Sequence, residues 1–455
     1  MNGINGNIKK IKSEEVIKKC IDNSYETHIT SSIISGWKTE FFNFKDLIKY
    51  KLINNFNRKF YPPQNSTIHF LYKLMNPKDE KGMKAYNKNL NKLLLITYRS
   101  KYRKQINIKN LYEYNSDCGW GCMIRSSQMI FARMLYKIFK QTYKNQYDSK
   151  TITISTIPYF MDDFILLDDL KNSDYLILGL DSYIEQLKKY LKEKIEKNEY
   201  KKSEIQSIDP PFSIHKICIL GEIFGRTCGE WFSDFELPRI YDIINTTFNI
   251  IPNLSIMHFN TNIEINTVLE KCFEKEEDVD NPDLFKNNYY INSKKEKFKF
   301  KKMGAIYVSV RLGVSNISSE YYPSIKKLFD CKQFLGFIGG KVDSASYFFG
   351  YSDDNLLYLD PHINQQSDSY LDDKTKDTYI NKTVYELEFK SLQCAFTAGF
   401  LFRTLNEFHK LLEFFKKFND EKCPCFHTHF DKVIEKNDEI IAKEIKYLEN
   451  DKNDF

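Results

Sequence analysis

The feature that most constrains this chain is the stretch at residues 116–125, SDCGWGCMIR, where a glycine-flanked turn leads directly into an apolar pattern headed by a cysteine. From Cys122 to Ile138, apolar side chains recur at helical spacing. The pattern predicts a helix with Cys122 in its first turn, where unpaired N–H groups and the helix dipole favour a thiolate. A lowered thiol pKa activates a cysteine as a nucleophile. The alternative is that Cys122 is a small buried hydrophobe without a chemical role.

A second segment supplies candidate partners for this thiol. Residues 356–362 read as a short apolar strand that ends in Asp360, Pro361 and His362. On extended backbone, Asp360 and His362 point to the same face because they are two positions apart, and Pro361 ends the strand. A carboxylate there would orient the imidazole and keep it basic. Taken alone, the pair is more typical of a turn with a solvated histidine, and composition does not bring it to Cys122.

Four ordered blocks of sequence resemble one known family. Residues 117–125, DCGWGCMIR, and residues 358–362, YLDPH, resemble the two active-site segments of the autophagins, the papain-like cysteine proteases that process the ubiquitin-like autophagy modifier. Residues 211–217 and 337–348 match two further blocks in the same order. The resemblance implies an α+β, papain-like cysteine peptidase with a mostly antiparallel sheet, a nucleophile-bearing helix and a small inserted subdomain.

The resemblance also implies a role for five residues. Cys122 matches the family's nucleophile, His362 its general base and acid, and Asp360 its orienting carboxylate. Tyr98 matches the tyrosine that helps to form the oxyanion hole, although a core tyrosine is the alternative at that position. Trp231 resembles the tryptophan that lies over the substrate's terminal glycine, where a flat indole excludes residues with a side chain.

Gly339, Gly340 and Lys341 match a substrate-contacting loop that precedes the family's second catalytic segment. A proline normally follows this motif, but Val342 stands in its place here. The two glycines still predict a hinge, since glycine tolerates a wide range of backbone angles.

Cys118 is a second departure from the family pattern, which usually has a small polar residue there. Cys118 and Cys122 form a C-x-x-x-C pair at the predicted catalytic turn. Oxidation would join the two thiols and silence the enzyme, so Cys118 is a candidate regulatory residue.

Composition limits the remaining possibilities for partners, location and domain organisation. The chain has 455 residues, and its 67 basic and 61 acidic side chains are too balanced to indicate nucleic-acid binding. Ten cysteines without a spacing framework predict a reducing compartment, and no signal peptide or membrane-spanning run is visible, so we expect a cytoplasmic protein. We expect a flexible segment at 1–60, a peptidase domain at 61–430 with insertions around 164–209 and 274–302, and a charged tail at 431–455.

Local patterns predict the individual elements. Thr404 and Glu407 form a capping box before a helix that runs through Phe415, and residues 274–302 read as a solvated loop that leads into a strand. Helices are predicted at 237–248 and 263–273, and strands at 151–157, 305–310, 334–338, 346–351, 356–359 and 395–402.

A second group of residues with chemical potential is a possible zinc site. Cys423, Cys425, His427 and His429 offer two sulfur and two nitrogen ligands within seven residues. Structural zinc sites space their ligand pairs more widely, so the spacing argues against a tetrahedral site here.

The function that the resemblance implies is cleavage after the C-terminal glycine of the autophagy modifier, which matures its precursor and releases it from phosphatidylethanolamine. No cofactor is needed, no nucleic acid is involved, and membrane contact is peripheral, through the conjugated substrate. The alternatives are a peptidase for another ubiquitin-like protein, a non-catalytic binder of the modifier, and a zinc-dependent interaction module. Binding alone does not require the set of Cys122, Asp360, His362 and Tyr98.

Overall fold

The computed structural model describes most of the chain in several stretches. These are residues 57–62, 66–102, 106–108, 112–162, 210–276, 289–291, 296–341, 343–367 and 371–430, with short pieces at 25–27, 165–166, 179–180, 183–185, 189 and 205–208. The tail at 431–455, most of the segment at 1–60 and most of the insertion at 164–209 lie outside the described residues.

Nine α-helices have defined bounds within the described residues. They are α1 (Glu80–Leu90), α2 (Cys122–Tyr143), α3 (Ser149–Ile154), α4 (Ile214–Gly221), α5 (Glu236–Phe248), α6 (Ile265–Cys272), α7 (Tyr322–Leu328), α8 (Asp373–Ile380) and α9 (Leu405–Asn419). No helix of the described residues is both long enough and apolar enough to cross a bilayer.

The strands before residue 250 are short. They are β1 (Tyr25–Thr27), β2 (Arg58–Lys59), β3 (Ile68–Phe70), β4 (Lys73–Met75), β5 (Arg99–Ser100), β6 (Ile106–Ile108), β7 (Tyr112–Tyr114), β8 (Ile165–Leu166) and β9 (Ile205–Ile208). The later strands are β10 (Leu254–Asn260), β11 (Asn262–Glu264), β12 (Phe273–Glu276), β13 (Tyr289–Ile291), β14 (Lys297–Phe300), β15 (Met303–Asn316), β16 (Phe334–Lys341), β17 (Ser344–Ser352), β18 (Asn355–Leu359), β19 (Gln365–Gln366), β20 (Val384–Glu388), β21 (Gln393–Phe402) and β22 (His427–His429).

One ten-stranded sheet forms the centre of the molecule, in the order β10-β15-β21-β16-β17-β18-β20-β2, with β3 paired to β17 and β4 to β3. Only the β10–β15 pair is parallel within this sheet, so the sheet is mostly antiparallel, as the sequence predicts. The inner strands are buried along nearly their whole length, which explains their continuous apolar runs.

The helix that begins at Cys122 packs against the sheet at β16 and β17. Its apolar residues meet a layer of aromatic rings, in which Phe131 stacks on Tyr241 with ring centres 4.3 Å apart and lies edge-on to Phe212 at 4.7 Å. Because α2 is clamped between the sheet and this aromatic layer, its first turn is held at a fixed position above the strands.

Most of the predicted elements are confirmed. The cysteine helix, the helix at 237–248 and the five strands between 305 and 402 all lie where the sequence places them. Thr404 caps α9 by accepting a hydrogen bond from the Glu407 N–H at 3.2 Å. The helix expected at 263–273 begins two residues late, after the short strand β11.

The strand predicted at 151–157 is wrong, because this segment forms α3 and a following 3-10 turn. The Asp148 carboxylate accepts a hydrogen bond from the Thr151 N–H at 2.7 Å and so starts a helix. The Thr153 hydroxyl donates to the Ser149 carbonyl one turn back, at 2.8 Å. Capping and this local hydrogen bond override the β preference of a threonine- and isoleucine-rich run.

The expected solvated loop at 274–302 is also wrong in part. Its described ends form a three-stranded antiparallel sheet in the order β12-β14-β13. Phe273 on the first strand lies edge-on to Phe300 on the central strand, with ring centres 5.4 Å apart. The alternating lysines and phenylalanines at 297–300 form one strand of this sheet. Alternation of polar and apolar side chains at every second position is typical of a strand, and here it predicts the structure correctly.

Candidate active site

The turn that carries Cys122 is held by its own backbone. The Asp117 carbonyl accepts hydrogen bonds from the N–H groups of Trp120, at 3.3 Å, and Gly121, at 2.9 Å. A Cβ atom on Gly121 would lie 2.4 Å from an Asp117 carboxylate oxygen, so this position requires glycine. Cys122 is the first residue of α2 and is 4% exposed, as the sequence predicts for the first helical turn.

The imidazole and the carboxylate come from the segment that follows β18. Asp360 and His362 are each 1% exposed. The His362 backbone N–H donates to Asp360 Oδ1 at 3.0 Å, and the ring nitrogen Nδ1 bonds the same oxygen. Because Nδ1 is held by the carboxylate, the ring presents Nε2 on its other side. The predicted acid–imidazole pair therefore exists, and it is buried rather than solvated.

The fold brings the thiol and the imidazole together. The side chains of Cys122 and His362 form a hydrogen bond. Burial alone would raise the pKa of Cys122, but the hydrogen bond and charge of His362 outweigh burial and lower it below its usual range. Burial opposes the charged form of His362 as well, yet Asp360 and Cys122 together raise the pKa of the imidazole. Opposite shifts in a contacting pair favour thiolate beside imidazolium near neutral pH.

Tyr98 completes the cluster. Its ring lies edge-on to the His362 ring with centres 5.4 Å apart, and its phenol hydrogen-bonds the Cys122 thiol. Burial and the neighbouring Cys122 raise the pKa of Tyr98 well above its usual range, so the phenol keeps its proton and can donate. Its backbone N–H donates to the Pro361 carbonyl at 2.9 Å, which fixes this segment against the catalytic loop.

Two residues at the start of β17 contribute to the site, and neither role is indicated by the local sequence pattern. The Ala345 backbone hydrogen-bonds the Cys122 sulfur and so lowers the pKa of the thiol further. The Ser344 hydroxyl lies 3.5 Å from His362 Nε2. A backbone group carries no sequence signal, which is why Ala345 was not identified as a contributor.

Asn57 is a further residue that sequence reasoning missed. Its amide nitrogen donates to Asp360 Oδ2 at 2.5 Å, the oxygen that His362 does not use. Asn57 directly precedes β2, and β2 pairs with β20. Phe60, which directly follows β2, is buried. Both oxygens of the carboxylate are therefore occupied by donors, which prevents its rotation. Nothing in the local sequence connects Asn57 with a residue about three hundred positions later.

A buried ion-pair cluster lies beneath the cysteine turn. Arg125 Nε pairs with Asp117 Oδ2 at 2.6 Å, and Nη1 pairs with Asp162 Oδ1 at 2.9 Å. The other Asp117 oxygen accepts hydrogen bonds from the Arg99 N–H at 2.6 Å and the Tyr102 hydroxyl at 2.8 Å. Since Arg99 follows Tyr98 in the chain, Asp117 links the segment that holds the phenol to the turn that holds the thiol.

Trp231 lies at the edge of the site. It is 39% exposed, and its indole N–H donates to the Gly119 carbonyl of the cysteine turn at 3.2 Å. Its loop is tied to the sheet three residues later, where the Thr397 hydroxyl donates to the Asp234 carboxylate at 2.7 Å. A flat, half-open aromatic face thus stands beside the turn that carries the thiol.

Gly339, Gly340 and Lys341 do not form the separate loop that the sequence suggests. They continue β16 and pair with Ser346, Ala345 and Ser344 of β17, so the hairpin turn begins only after Lys341. Gly340 has a φ of +159°, and a Cβ there would lie 1.9 Å from the Ser344 carbonyl oxygen. The two strands approach too closely at this point for any other residue.

Cys118 shares a small buried cluster with Tyr98, Cys122 and Ala345. No disulfide bond joins any of the nine cysteines in the described part of the chain. The two sulfurs of the C-x-x-x-C pair therefore stand as separate thiols in one cluster.

The candidate zinc ligands at 423–429 differ from one another in burial. Cys425 is buried, whereas His427 and His429 are exposed at the two ends of β22. Within the residues that the structure describes, no three His, Cys, Asp or Glu side chains are grouped so as to hold a metal ion.

Comparison with known proteins agrees with this geometry. The family model described as the peptidase C54 catalytic domain matches residues 83–414. Similar proteins include cysteine protease ATG4C of Xenopus laevis, 25% identical over 69% of this chain and 66% of that protein, and cysteine protease ATG4B of the same species, 25% identical over 55% and 54%. Cysteine protease ATG4C of Homo sapiens is 26% identical over 76% of this chain and 75% of that protein. The match thus spans between about half and three quarters of these relatives.

The resemblance to the autophagins and the predicted α+β, papain-like fold class are both confirmed by these findings. A mostly antiparallel sheet with a helix that begins at the cysteine is the arrangement that the resemblance implies. This chain belongs to the peptidase C54 family.

Proposed function

We propose that this protein is a cysteine peptidase with Cys122 as its nucleophile. The proposal rests on a buried chain of hydrogen bonds. Asp360 bonds His362 Nδ1, and the His362 ring bonds the Cys122 thiol. A pre-formed thiolate beside an imidazolium combines a nucleophile with a proton donor for the leaving group. The non-catalytic binder is disfavoured, since binding does not require a thiol of lowered pKa.

In the first step, the Cys122 thiolate attacks the carbonyl carbon of the scissile amide and forms a C–S bond. The Tyr98 phenol and the Cys122 backbone N–H donate to the developing oxyanion. His362 gives its proton to the amide nitrogen, the C–N bond breaks, and the amine leaves. In the second step, His362 takes a proton from water, the hydroxide attacks the thioester, and the thiolate leaves.

The substrate that we propose is the ubiquitin-like autophagy modifier, cut after its C-terminal glycine. The same chemistry would mature the modifier's precursor and release it from phosphatidylethanolamine, because both bonds are amides of the glycine carbonyl. Family membership supports the substrate, and the exposed Trp231 face beside the cysteine turn supports a narrow passage for glycine. Gly339, Gly340 and Lys341 would line the passage opposite, and membrane contact would be peripheral, through the lipid-bearing substrate.

We further propose that the peptidase domain begins at Asn57, slightly before the boundary that the sequence suggests, and runs to residue 430. The pairing of β2 with β20 and the contact of Asn57 with Asp360 support this start. A cytoplasmic location is supported by the nine described cysteines, none of which forms a disulfide bond.

The test is incubation of the purified full-length protein with the modifier carrying a short C-terminal extension, with the product mass determined. We expect a product that ends at the glycine from the wild type and no product from Cys122→Ala. A parallel reaction with the phosphatidylethanolamine conjugate on vesicles tests release from the lipid.

A panel of other ubiquitin-like proteins with the same extension tests the second candidate. Cleavage of one of these in preference to the autophagy modifier would replace the proposed substrate. Binding of the modifier without cleavage of either form would contradict the peptidase proposal.

A further inference from the structure

Two lysines from different elements hold their ammonium groups close together, and the charge of Arg133 acts on both. Lys73 stands at the start of β4 and Lys92 just after α1. Arg133 lies on α2, eleven residues beyond Cys122, which corresponds to about 16 Å along the helix axis. These three residues are called the basic cluster below.

The two lysines of the basic cluster share one neutral acceptor. The ammonium groups of Lys73 and Lys92 donate to the same Asn89 carboxamide oxygen, at 3.0 Å and 2.9 Å. Asn89 itself is buried and is fixed by donation to the Ala85 carbonyl at 2.8 Å. A single amide oxygen does not compensate two positive charges held this close together.

Arg133 adds a third charge behind them. Its side chain is only 7% exposed, yet its Nε and Nη1 atoms are buried without a hydrogen-bond partner. The guanidinium lies over the Tyr136 ring, 5.1 Å from its centre, but the two buried N–H groups lose their hydration without a hydrogen bond in return. In the described part of the chain, no carboxylate forms an ion pair with Arg133, Lys73 or Lys92.

Electrostatics agree with the geometry. Burial, followed by the charges of Lys73 and Arg133, lowers the pKa of Lys92 to about 8. Burial and Arg133 also lower the pKa of Lys73. Each of these ammonium groups is therefore destabilised by its neighbours, and an anion bound among them would reverse the effect.

We propose that Lys73 and Lys92 form a binding site for a phosphate group, separate from the peptidase site, with Arg133 adding positive charge from the interior. A phosphate monoester carries about two negative charges and three terminal oxygens at neutral pH, which matches two ammonium groups with a third positive charge behind them. A carboxylate has one charge and two oxygens and leaves part of the cluster unpaired. Lys73 and Lys92 are partly exposed, so a phosphate can reach them from solvent.

The phosphate has two sources of the same chemistry, a soluble phosphate compound or the monoester headgroup of a membrane lipid. Tyr72 and Leu74 flank Lys73 on the exposed β3–β4 hairpin and are 36% and 63% exposed. Apolar side chains beside a cation are suited to a lipid surface, so the experiment includes vesicles as a separate arm.

The first arm measures binding of inorganic phosphate to the full-length protein by calorimetry, against chloride at equal ionic strength. We expect binding by the wild type, an affinity about tenfold lower for each lysine removed in K73Q/K92Q, and a smaller loss in R133Q, because Arg133 acts through its charge alone. The control is K410Q/K422Q, which removes the same charge from exposed positions elsewhere and should bind as the wild type does. Because Lys73 and Lys92 are partly exposed, their double variant remains informative if R133Q does not fold.

Calorimetry in buffers of different ionisation enthalpy adds a second readout. Bound phosphate should raise the pKa of Lys92, so complex formation near pH 8 should take up protons in the wild type, and K73Q/K92Q should take up fewer.

The second arm uses phosphatidylcholine vesicles with and without phosphatidylinositol 4-phosphate. Cosedimentation that requires this lipid and is lost in K73Q/K92Q assigns the lipid source, and phosphate binding without cosedimentation assigns a soluble one. Wild-type protein that binds neither probe better than chloride or plain vesicles, or variants that bind as well as K410Q/K422Q, would overturn the proposal. None of these readouts depends on peptidase activity.

Discussion

At the scale of single residues, the chemistry rests on the charge states of Cys122 and His362. Burial works against both charges. For Cys122 it is outweighed chiefly by His362, with help from Ala345 and Tyr98, and for His362 it is outweighed by Asp360 and Cys122. Neither group would carry its charge alone at that depth. The pair must therefore be treated as one unit, with a thiolate that exists because the imidazolium lies beside it.

The first prediction concerns the pH dependence of thiol reactivity. The rate at which iodoacetamide alkylates Cys122 should begin to fall at a lower pH than the rate for an ordinary thiol, because the pKa of Cys122 lies below the usual 9.0. An ordinary thiol slows about tenfold for each unit below its pKa. Peptide mapping after timed alkylation, in a Cys118→Ala background, isolates the rate at Cys122.

The matched variant is His362→Ala. Without the imidazolium the thiol loses the two largest effects that lower its pKa, the hydrogen bond and the charge of His362, so its reactivity should shift to alkaline pH. An identical pH profile in both proteins would show that His362 does not set the ionisation of Cys122.

The second prediction concerns Asn57. Replacement by Ala removes the donor to Asp360 Oδ2 and leaves the carboxylate free to rotate, so kcat should fall about tenfold with little change in KM. Steady-state kinetics on the extended modifier measure this, and Asn87→Ala on the exposed face of α1 is the control. A rise in KM with unchanged kcat would place Asn57 in substrate binding instead of in the orientation of Asp360.

The sequence identifies some of these residues and not others for a physical reason. Cys122, Asp360 and His362 are recognisable because their roles depend on side-chain type at fixed local spacing. Asn57 acts across the sheet, and Ala345 acts through its backbone, so neither role leaves a local pattern. Contacts of this kind depend on tertiary structure alone.

At the scale of elements, the active site depends on the hydrogen bonds that hold the Tyr98 segment against the first turn of α2. Asp117 connects the two elements, because one of its carboxylate oxygens accepts from the Arg99 backbone N–H and the other accepts from the Arg125 side chain. A third element joins through Asp162, which also pairs with Arg125. The relative position of phenol and thiol is therefore set by a buried charge cluster rather than by the helix alone.

The third prediction follows from this cluster. Asp117→Asn leaves Arg125 with one buried carboxylate partner, so the free energy of unfolding should fall by about 3–5 kcal/mol. The contrast is Glu80→Gln, which removes an exposed pair with Lys84 and should cost at most about 0.5 kcal/mol. Urea denaturation measures both, and equal losses in the two variants would contradict a structural role for the cluster.

Elements were predictable from sequence where periodicity and capping agree. The cysteine helix and the central strands are of this kind, since long apolar runs leave few alternatives. The segment at 151–157 shows the opposite case, because its β-branched residues favour a strand while Asp148 starts a helix. Local hydrogen bonds decided the outcome there, and residue preference did not.

At the scale of the whole molecule, one sheet gathers residues that are far apart in the chain. The pairing of β18 with β17 places the end of β18 beside the residues that contact Cys122, and α2 packs on the same strands. Strand order cannot be read from the apolar runs alone, because several of them are equally suited to the centre. The juxtaposition of thiol and imidazole was therefore implied by the family resemblance and appears as geometry only in the fold.

The same helix carries two charged sites. Its first turn carries the Cys122 thiolate, and its second half carries the buried Arg133 of the basic cluster. A phosphate bound at the second site would orient the protein on a surface without entering the first. The two sites can then be altered independently, which is why the phosphate test needs no substrate.

The measurement that tests the central claim most directly is covalent capture. The modifier is prepared with an electrophile in place of the amide that follows its C-terminal glycine, and it is incubated with the full-length protein. We expect one adduct with one modifier bound per protein chain, mapped by mass spectrometry to Cys122 and formed more slowly in His362→Ala. An adduct on Cys118, or no adduct while the modifier still binds, would contradict Cys122 as the nucleophile.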